Sequence, residues 1–442
     1  MINRVIFKSY DIRGIYPGEL NKEAAYQIGK AFVVFTGAKR VAIGHDARLS
    51  SPELYAALTE GIISQGADVH TIGQVPTECV YFAIMHLDVD AAMMITASHN
   101  PKEYNGVKMI KKAGNDIIWV RGKDLLDGIE KDMPEAQRKG VIKEADIWAD
   151  YISYISKFLG EVRPLKVVVD ASNGVIGKAI TKIKGKLPVE IIELNFKPDG
   201  NFPNHAPNPL EPGASLQIAQ KIKESGADVG IMFDGDADRI FLVNEWGELV
   251  SADITLLLIA RHFLEKKPGE AVAYNAICSK AVPHFIKAWG GVPVKTAVGF
   301  VNVREGLMKH SGVMGGELSA HYCFRDYFYT DSGMIAFLTL LQIISKDGRK
   351  VSEMAKELSI YFKSTLNFKI ENKEVVLNGI KEKYADGKQD YLDGVTVEYR
   401  EWWFNVRPSN TEPLLRLTIE ADTGELLEEK KEELTALITS VE

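Results

Sequence analysis

A chain of 442 residues is too long for one hydrophobic core and is expected to divide into three or four domains. Its 46% apolar and 26% charged residues are ordinary for a globular protein, and 60 acidic against 53 basic side chains (net −7) argue against nucleic acid or an anionic membrane as the main partner. There is no run of about 18 apolar residues, no secretory signal in MINRVIFKSYDIRG, and no CxxC among Cys79, Cys278 and Cys323, so a cytoplasmic protein with reduced thiols is expected.

In chain order, Lys39–Gly44 reads as a strand, followed by a helix over Pro52–Gln65 that Ser50 or Ser51 caps, with Pro52 in its first turn. A second strand is expected near Val69–Ile72. The apolar run DAAMMI then ends in Thr96-Ala97-Ser98-His99-Asn100-Pro101. Tyr104-Asn105-Gly106 reads as a turn, and Val107–Ile110 as a strand that brings Lys108 back toward Ser98. The pattern restarts with the strand Leu165–Asp170, a turn at Ala171–Gly174 and another helix. Strands at Val229–Phe233 and Ile240–Val243 flank an acidic loop. A long apolar helix to Leu264, a turn at Lys266–Gly269 and a strand at Ala271–Tyr274 open a third unit. Gly66-Ala67-Asp68-Val69 recurs at Gly226-Ala227-Asp228-Val229, a faint sign of a repeat. In the tail, strands are expected at Leu366–Ile370, Val395–Tyr399, Trp402–Val406 and Leu415–Glu420, then a helix from Gly424. In that helix Leu427, Leu434, Leu437 and Ile438 form an apolar stripe, and the charges of Glu428–Glu433 are its solvated face.

Four segments carry chemistry. Asp234, Asp236 and Asp238 lie in a Gly-containing loop between two apolar strands. Three carboxylates at that spacing cannot converge without a cation, and hard oxygens suit Mg²⁺ or Ca²⁺. An EF-hand is disfavoured, because Arg239 stands where its turn needs glycine and a strand follows. Ser98 is a turn residue or a reactive group on spacing alone. With Lys108 returning toward it and a metal loop elsewhere, it suits phosphoryl transfer, and no GxSxG elbow supports a protease-type nucleophile. Arg407, Ser409, Asn410 and Thr411, in RPSNTEP between two strands, supply a guanidinium, hydroxyls and an amide, a set that grips a phosphate or simply makes a polar hairpin. Glu317, Ser319 and His321 offer a carboxylate, a hydroxyl and an imidazole that fit paired sugar hydroxyls, although His321 reads equally well as a core histidine. The absence of a Walker A motif and of GxGxxG disfavours a nucleotide kinase or a dehydrogenase.

With Tyr10-Asp11-Ile12-Arg13-Gly14, TASHNP, Tyr104–Lys108, DGDADR, GELSAH and RPSNTEP in this order, the whole chain resembles the α-D-phosphohexomutase superfamily, most closely its phosphomannomutase branch. The resemblance implies an α/β protein. Three similar domains with mixed sheets (1–150, 151–252, 253–366) and a C-terminal α+β domain like the TATA-binding protein (367–442) would surround a central cleft. It further implies that Ser98 carries the phosphoryl group and that Asp234, Asp236 and Asp238 hold Mg²⁺ with an oxygen of phosphoserine. Lys108 would be the general acid/base, assisted by Arg13, with His99 beside them. Arg239 would offset phosphoryl charge. Glu317, Ser319 and His321 would read the sugar, and Arg407, Ser409, Asn410 and Thr411 would bind the phosphate that is not transferred. The expected reaction converts mannose 1-phosphate and mannose 6-phosphate through a hexose 1,6-bisphosphate, with Lys108 needing a lowered pKa. Phosphoglucomutase or dual specificity is the main alternative. Leu318 speaks against a phosphoglucosamine mutase, and the intact Ser98, Lys108 and aspartates speak against a non-catalytic sugar-phosphate-binding protein. Lys295–Phe300 departs from the dual-specificity pattern, which has a histidine after Lys-Thr-Gly, and Ile277 stands where those enzymes carry a lysine before Cys278. Hexose phosphates are the expected partners of a monomer or dimer.

Overall fold

The structure, a computed structural model, describes residues 2–129, 131, 133–409 and 414–440. Two compact units emerge: Met1–Val250 with Asp326–Ser352, and Ser251–Arg325 with Glu353–Glu442. In chain order, the strands of the first unit are Ile12–Ile15 (β1), Arg40–His45 (β2), Asp68–Gln74 (β3), Ala91–Ile95 (β4), Tyr104–Ala113 (β5), Asp116–Val120 (β6), Ile142–Glu144 (β7), Leu165–Asp170 (β8), Val189–Leu194 (β9), Val229–Phe233 (β10) and Ile240–Val243 (β11). The second unit then supplies Ala271–Asn275 (β12), Val292–Thr296 (β13), Met314–Gly316 (β14) and Tyr322–Phe324 (β15). The chain returns to the first unit for Thr330–Asp331 (β16) and the helix Gly333–Asp347. It ends in the second with Phe362–Phe368 (β17), Lys388–Asp390 (β18), Val395–Glu398 (β19), Trp402–Pro408 (β20) and Leu415–Ala421 (β21).

One topology occurs three times. The orders β5-β4-β2-β3, β11-β10-β8-β9 and β15-β14-β12-β13 each combine three parallel strands with one antiparallel strand. In each, the chain leaves the first strand toward one side of the sheet and comes back on the other. The carboxyl ends of the strands at such a switch point leave a crevice. TASHNP follows β4, DGDADR follows β10 and GELSAH follows β14, so all three motifs occupy the same topological slot. The strand before the slot is buried on both faces in AAMMI of β4 and VGIMF of β10, as expected where helices cover both sides of a parallel sheet. Burying a side chain such as Phe233 contributes about 1.5–3 kcal/mol, which anchors the loop that follows.

The last sheet is antiparallel, in the order β17-β21-β20-β19-β18. The helices Lys373–Lys383 and Gly424–Thr439 pack on it, and Leu427, Leu434 and Ile438 enter its core as their stripe predicts.

Three local readings need correction. Tyr104-Asn105-Gly106 is strand rather than turn, because β1 pairs antiparallel with it, Arg13 opposite Gly106. Glycine is needed there for close approach, since a Cβ would sit 2.3 Å from the Ile12 carbonyl oxygen. The helix Lys373–Lys383 goes unread in a tail expected to be mostly strands, because only Val376 and Ile380 of it are buried and Gly379 is a poor helix former within it. The two GADV segments are not equivalent: the first enters β3, the second strand of its repeat, and the second enters β10, the third strand of its own. They share only a local task, a helix stop followed by strand entry.

Candidate active site

Ser98 sits just beyond β4 with φ +50, in the left-handed region that a residue with a Cβ enters at a cost. The surroundings hold it there. Thr96 Oγ1 accepts the Ser98 N–H at 2.8 Å, and the Asn100 N–H closes a turn on the Ala97 carbonyl at 3.0 Å. Arg48, in the loop after β2, is fully buried. Its guanidinium donates to the carbonyls of Ser98 (2.8 Å), Asn100 (2.6 Å), Pro101 (2.7 Å) and Tyr104 (3.0 Å), while its Nε reaches Asp46 at 3.1 Å. The Phe202 ring covers the guanidinium at 5.3 Å. From β1, Arg13 donates to Asn100 Oδ1 at 2.6 Å and to the Ala97 carbonyl at 3.2 Å, and pairs with Asp11 at 2.6 Å. Two arginines thus shape the backbone that presents Ser98.

The hydroxyl of Ser98 donates to Asp234 Oδ2 at 2.8 Å and lies 3.2 Å from His99 Nδ1. Asp234, Asp236 and Asp238 are all buried, with one oxygen of each within 4.8 Å of the others. Burial first, and then the charges of Asp238 and Asp236, push the Asp234 carboxyl well above the usual carboxylate range. Thr77, first residue of the helix Thr77–His86, binds the same loop twice: its hydroxyl donates to Asp236 Oδ2 at 2.6 Å and its N–H to the Asp236 carbonyl at 3.0 Å. Asp236 Oδ1 is buried and accepts no hydrogen bond, and the Arg239 guanidinium lies 3.8 Å from Asp234. A compact set of hard oxygens with mutual repulsion and one unused lone-pair site fits a divalent cation such as Mg²⁺.

Lys108 lies on β5 opposite Met94 of β4, and its ammonium bridges Asp236, at 2.7 Å, and Asp238. Burial alone would lower its pKa, but the carboxylates of Asp236, Asp238 and Asp331 outweigh burial and raise it. The lowered pKa expected from sequence is therefore not what this arrangement produces: its surroundings are anionic.

In the second unit, Glu317 follows β14. Its Oε2 accepts the Gly299 N–H at 3.1 Å and the Asn275 amide at 3.3 Å. Its Oε1 accepts the Ser319 hydroxyl and lies 2.8 Å from His321 Nδ1, which is itself 3.0 Å from Ser319 Oγ. The Phe300 and His321 rings lie 5.5 Å apart. Glu317, Ser319 and His321 thus form one hydrogen-bonded group. Arg407 is buried at the next-to-last position of β20, and the N–H of Ser409 donates to the Leu414 carbonyl at 2.8 Å. Asn410 and Thr411 lie outside the described residues.

Sequence reasoning missed Arg48, Thr77, Asn275 and Gly299. Arg48, Thr77 and Gly299 follow a strand of one of the repeats and Asn275 ends one, so the repeated topology is the signal that finds them.

Four consecutive models of phosphoglucomutase/phosphomannomutase match this chain: alpha/beta/alpha domains I, II and III over residues 4–136, 149–247 and 251–361, and the C-terminal domain over 366–437. The chain belongs to the phosphoglucomutase/phosphomannomutase family. It shares 34% identity with a phosphomannomutase of Vibrio cholerae (99% of this chain, 98% of the relative) and 33% with one of Methanocaldococcus jannaschii (99% and 98%). The crystal structure of a family protein from Burkholderia thailandensis superimposes with a TM-score of 0.91 at 32% identity, covering 100% of this chain and 98% of that one. This phosphohexomutase is thus an enzyme of the phosphomutase type with the family's four-domain α/β fold. Among its described residues, no helix is long and apolar enough to cross a membrane.

Proposed function

We propose that this phosphohexomutase interconverts mannose 1-phosphate and mannose 6-phosphate, with Ser98 as phosphoryl carrier. The observation that carries the proposal is the contact of Ser98 Oγ with Asp234, inside a carboxylate cluster that Lys108 spans. The full-length relatives named phosphomannomutase support the choice of sugar.

A sugar hydroxyl attacks the phosphorus of phosphorylated Ser98. The bond from phosphorus to Ser98 Oγ breaks as the bond to the sugar oxygen forms, giving a hexose 1,6-bisphosphate. The proton lost by the sugar hydroxyl balances the charge left on Ser98 Oγ. Lys108, assisted by Arg13, manages that proton, and His99 hydrogen-bonds the serine oxygen. Asp234, Asp236 and Asp238 would hold Mg²⁺, the ion on which the family depends, and the ion would neutralise charge on the phosphoryl oxygens. Arg239 adds to that neutralisation. After the bisphosphate turns over, its other phosphate returns to Ser98. Glu317, Ser319 and His321 read the sugar hydroxyls, and Arg407, Ser409, Asn410 and Thr411 grip the phosphate not in transfer. The four domains run over 1–150, 151–252, 253–366 and 367–442.

Intact-mass measurement tests the carrier role. The wild type is expected to show an added phosphoryl mass that is missing from Ser98→Ala. That variant, supplied with hexose 1,6-bisphosphate, should lose turnover by about three orders of magnitude or more. Normal rates in Ser98→Ala would overturn the assignment. Assays with mannose 1-phosphate, glucose 1-phosphate and glucosamine 1-phosphate are expected to rank mannose first; a higher kcat/KM for either other sugar would replace the substrate.

A further inference from the structure

The turn between β18 and β19, Asp390-Tyr391-Leu392-Asp393-Gly394, lies within the second unit and has no place in the chemistry above. It binds one short stretch twice. Asp390 Oδ2 accepts the ammonium of Lys295 at 2.7 Å, and Asp393 Oδ2 accepts the backbone N–H of Val298 at 2.7 Å. That stretch, Lys295–Gly299, connects β13 to the helix Phe300–Lys309, and it is the segment that departs from the dual-specificity pattern. The next N–H along it, from Gly299, donates to Glu317 Oε2 at 3.1 Å. Consecutive peptide N–H groups therefore end on two carboxylates, one from the C-terminal sheet and one from the sugar-reading loop.

The other side of the same turn rests on β20. The Asn405 amide donates to the Asp393 carbonyl at 2.7 Å. Gly394, with φ +69, lets the turn lie on the strand: a Cβ there would come within 2.3 Å of the Val406 carbonyl oxygen and 2.6 Å of Arg407 Cβ. Gly394 thus lets the turn whose carboxylate fixes Val298 lie directly against Arg407. A contiguous path of packed backbone and hydrogen bonds runs from Arg407 through Gly394 and Asp393 to Val298, Gly299 and Glu317.

We infer that Asp393 is a positioning residue for sugar recognition: it holds the 298–299 backbone against Glu317, so the turn that seats Arg407 also sets the sugar-reading carboxylate. This rests on the proposed roles of Glu317 and Arg407. The chain so gains a means of reading sugar and distal phosphate in one register. The Lys295–Asp390 pair, 29% and 41% exposed, is the weaker, salt-screened part of the clasp.

Steady-state kinetics with mannose 1-phosphate, alongside thermal melting, test the inference on full-length Asp393→Ala, Asp393→Asn and Glu317→Gln. Asp393→Ala is expected to raise KM about tenfold with kcat within about twofold, the worth of one hydrogen bond to a charged acceptor. Asp393→Asn keeps an oxygen for the Val298 N–H and should restore KM to within about threefold. An unchanged KM in Asp393→Ala while Glu317→Gln raises it overturns the inference and leaves the sugar reading standing. An unchanged KM in Glu317→Gln overturns that reading and the inference with it. Equal losses of kcat and of melting temperature in both Asp393 variants mark a merely structural contact and overturn it as well. If Asp393→Ala does not fold, Asp390→Asn decides: a KM raised about two- to threefold at low salt supports the inference, and an unchanged one overturns it.

Discussion

The loops 234–239 and 317–321 occupy one slot in two copies of the same topology, and both bury carboxylates there. They differ in how those carboxylates are answered. Both oxygens of Glu317 are engaged within its own unit, by two backbone or amide N–H donors, a hydroxyl and an imidazole. In the other loop, three carboxylates crowd within 4.8 Å, burial and the neighbouring charges push the Asp234 carboxyl above the usual carboxylate range, and Asp236 Oδ1 accepts no hydrogen bond. A satisfied acid presents a shaped, hydrogen-bonding surface that suits neutral sugar hydroxyls. Three crowded carboxylates that Ser98, Thr77 and the single ammonium of Lys108 answer only in part call for a further cation. The backbone slot is common, and the number of carboxylates crowded into it against the donors they share decides which chemistry it supports.

The most direct way to break this contrast is Asp236→Asn. If the cluster exists for a divalent ion, the variant should lose about 10²- to 10³-fold in kcat, and the Mg²⁺ needed for half-maximal rate should rise. A variant that stays active and indifferent to Mg²⁺ would place the crowding of the aspartates outside the reaction. Glu317→Gln, in the satisfied loop, should act on KM and leave the Mg²⁺ requirement alone.

The first repeat sharpens the contrast, since its loop in the same slot buries no acid and is organised by cations from outside. Arg48→Met removes the donor to four carbonyls and leaves Asp46 buried without its partner. Breaking a buried pair in this way costs about 3–5 kcal/mol. The variant should melt at a clearly lower temperature, and the folded fraction should turn over more slowly because Ser98 no longer keeps its left-handed backbone. A melting temperature and kcat equal to those of the wild type would show that the loop holds itself.

What was legible in the sequence divides along these lines. Strands buried on both faces, such as Leu165–Asp170, Val229–Phe233 and Ile240–Val243, were readable to the residue, because their apolar runs end sharply at charged or turn residues. The acidic cluster was readable as well, since repulsion among close carboxylates needs no knowledge of the fold. Arg48 and Thr77 were not. Each acts on a partner about fifty or more residues away, and neither differs locally from a loop arginine or a helix-start threonine. The electrostatics of Lys108 were misread for a similar reason: its basic surroundings were assumed, whereas β5 brings it onto Asp236 and Asp238. Strand pairing, which sets these long-range meetings, leaves only a weak trace in any short stretch.

Glu78 offers the smallest and cleanest test, a third answer to a buried carboxylate. Second residue of the helix Thr77–His86, it accepts the Ser332 hydroxyl and the Met334 N–H (3.3 Å) at the start of the helix Gly333–Asp347. Burial, the dominant influence, pushes its carboxyl from about 4.5 up to about 8 against those hydrogen bonds. The sign follows directly. As pH rises past about 4.5 the unfolded chain releases this proton, while the folded chain keeps it until about 8. The wild type therefore loses stability progressively across that window, by on the order of a few kcal/mol, and no further above it. Glu78→Gln keeps the shape and removes the titration. Its melting temperature, measured from about pH 5 to pH 9, should gain on that of the wild type as the pH climbs toward 8 and then run parallel. A constant offset between the two curves would show that Glu78 is charged throughout and that the helix start at Ser332, rather than a proton, neutralises it.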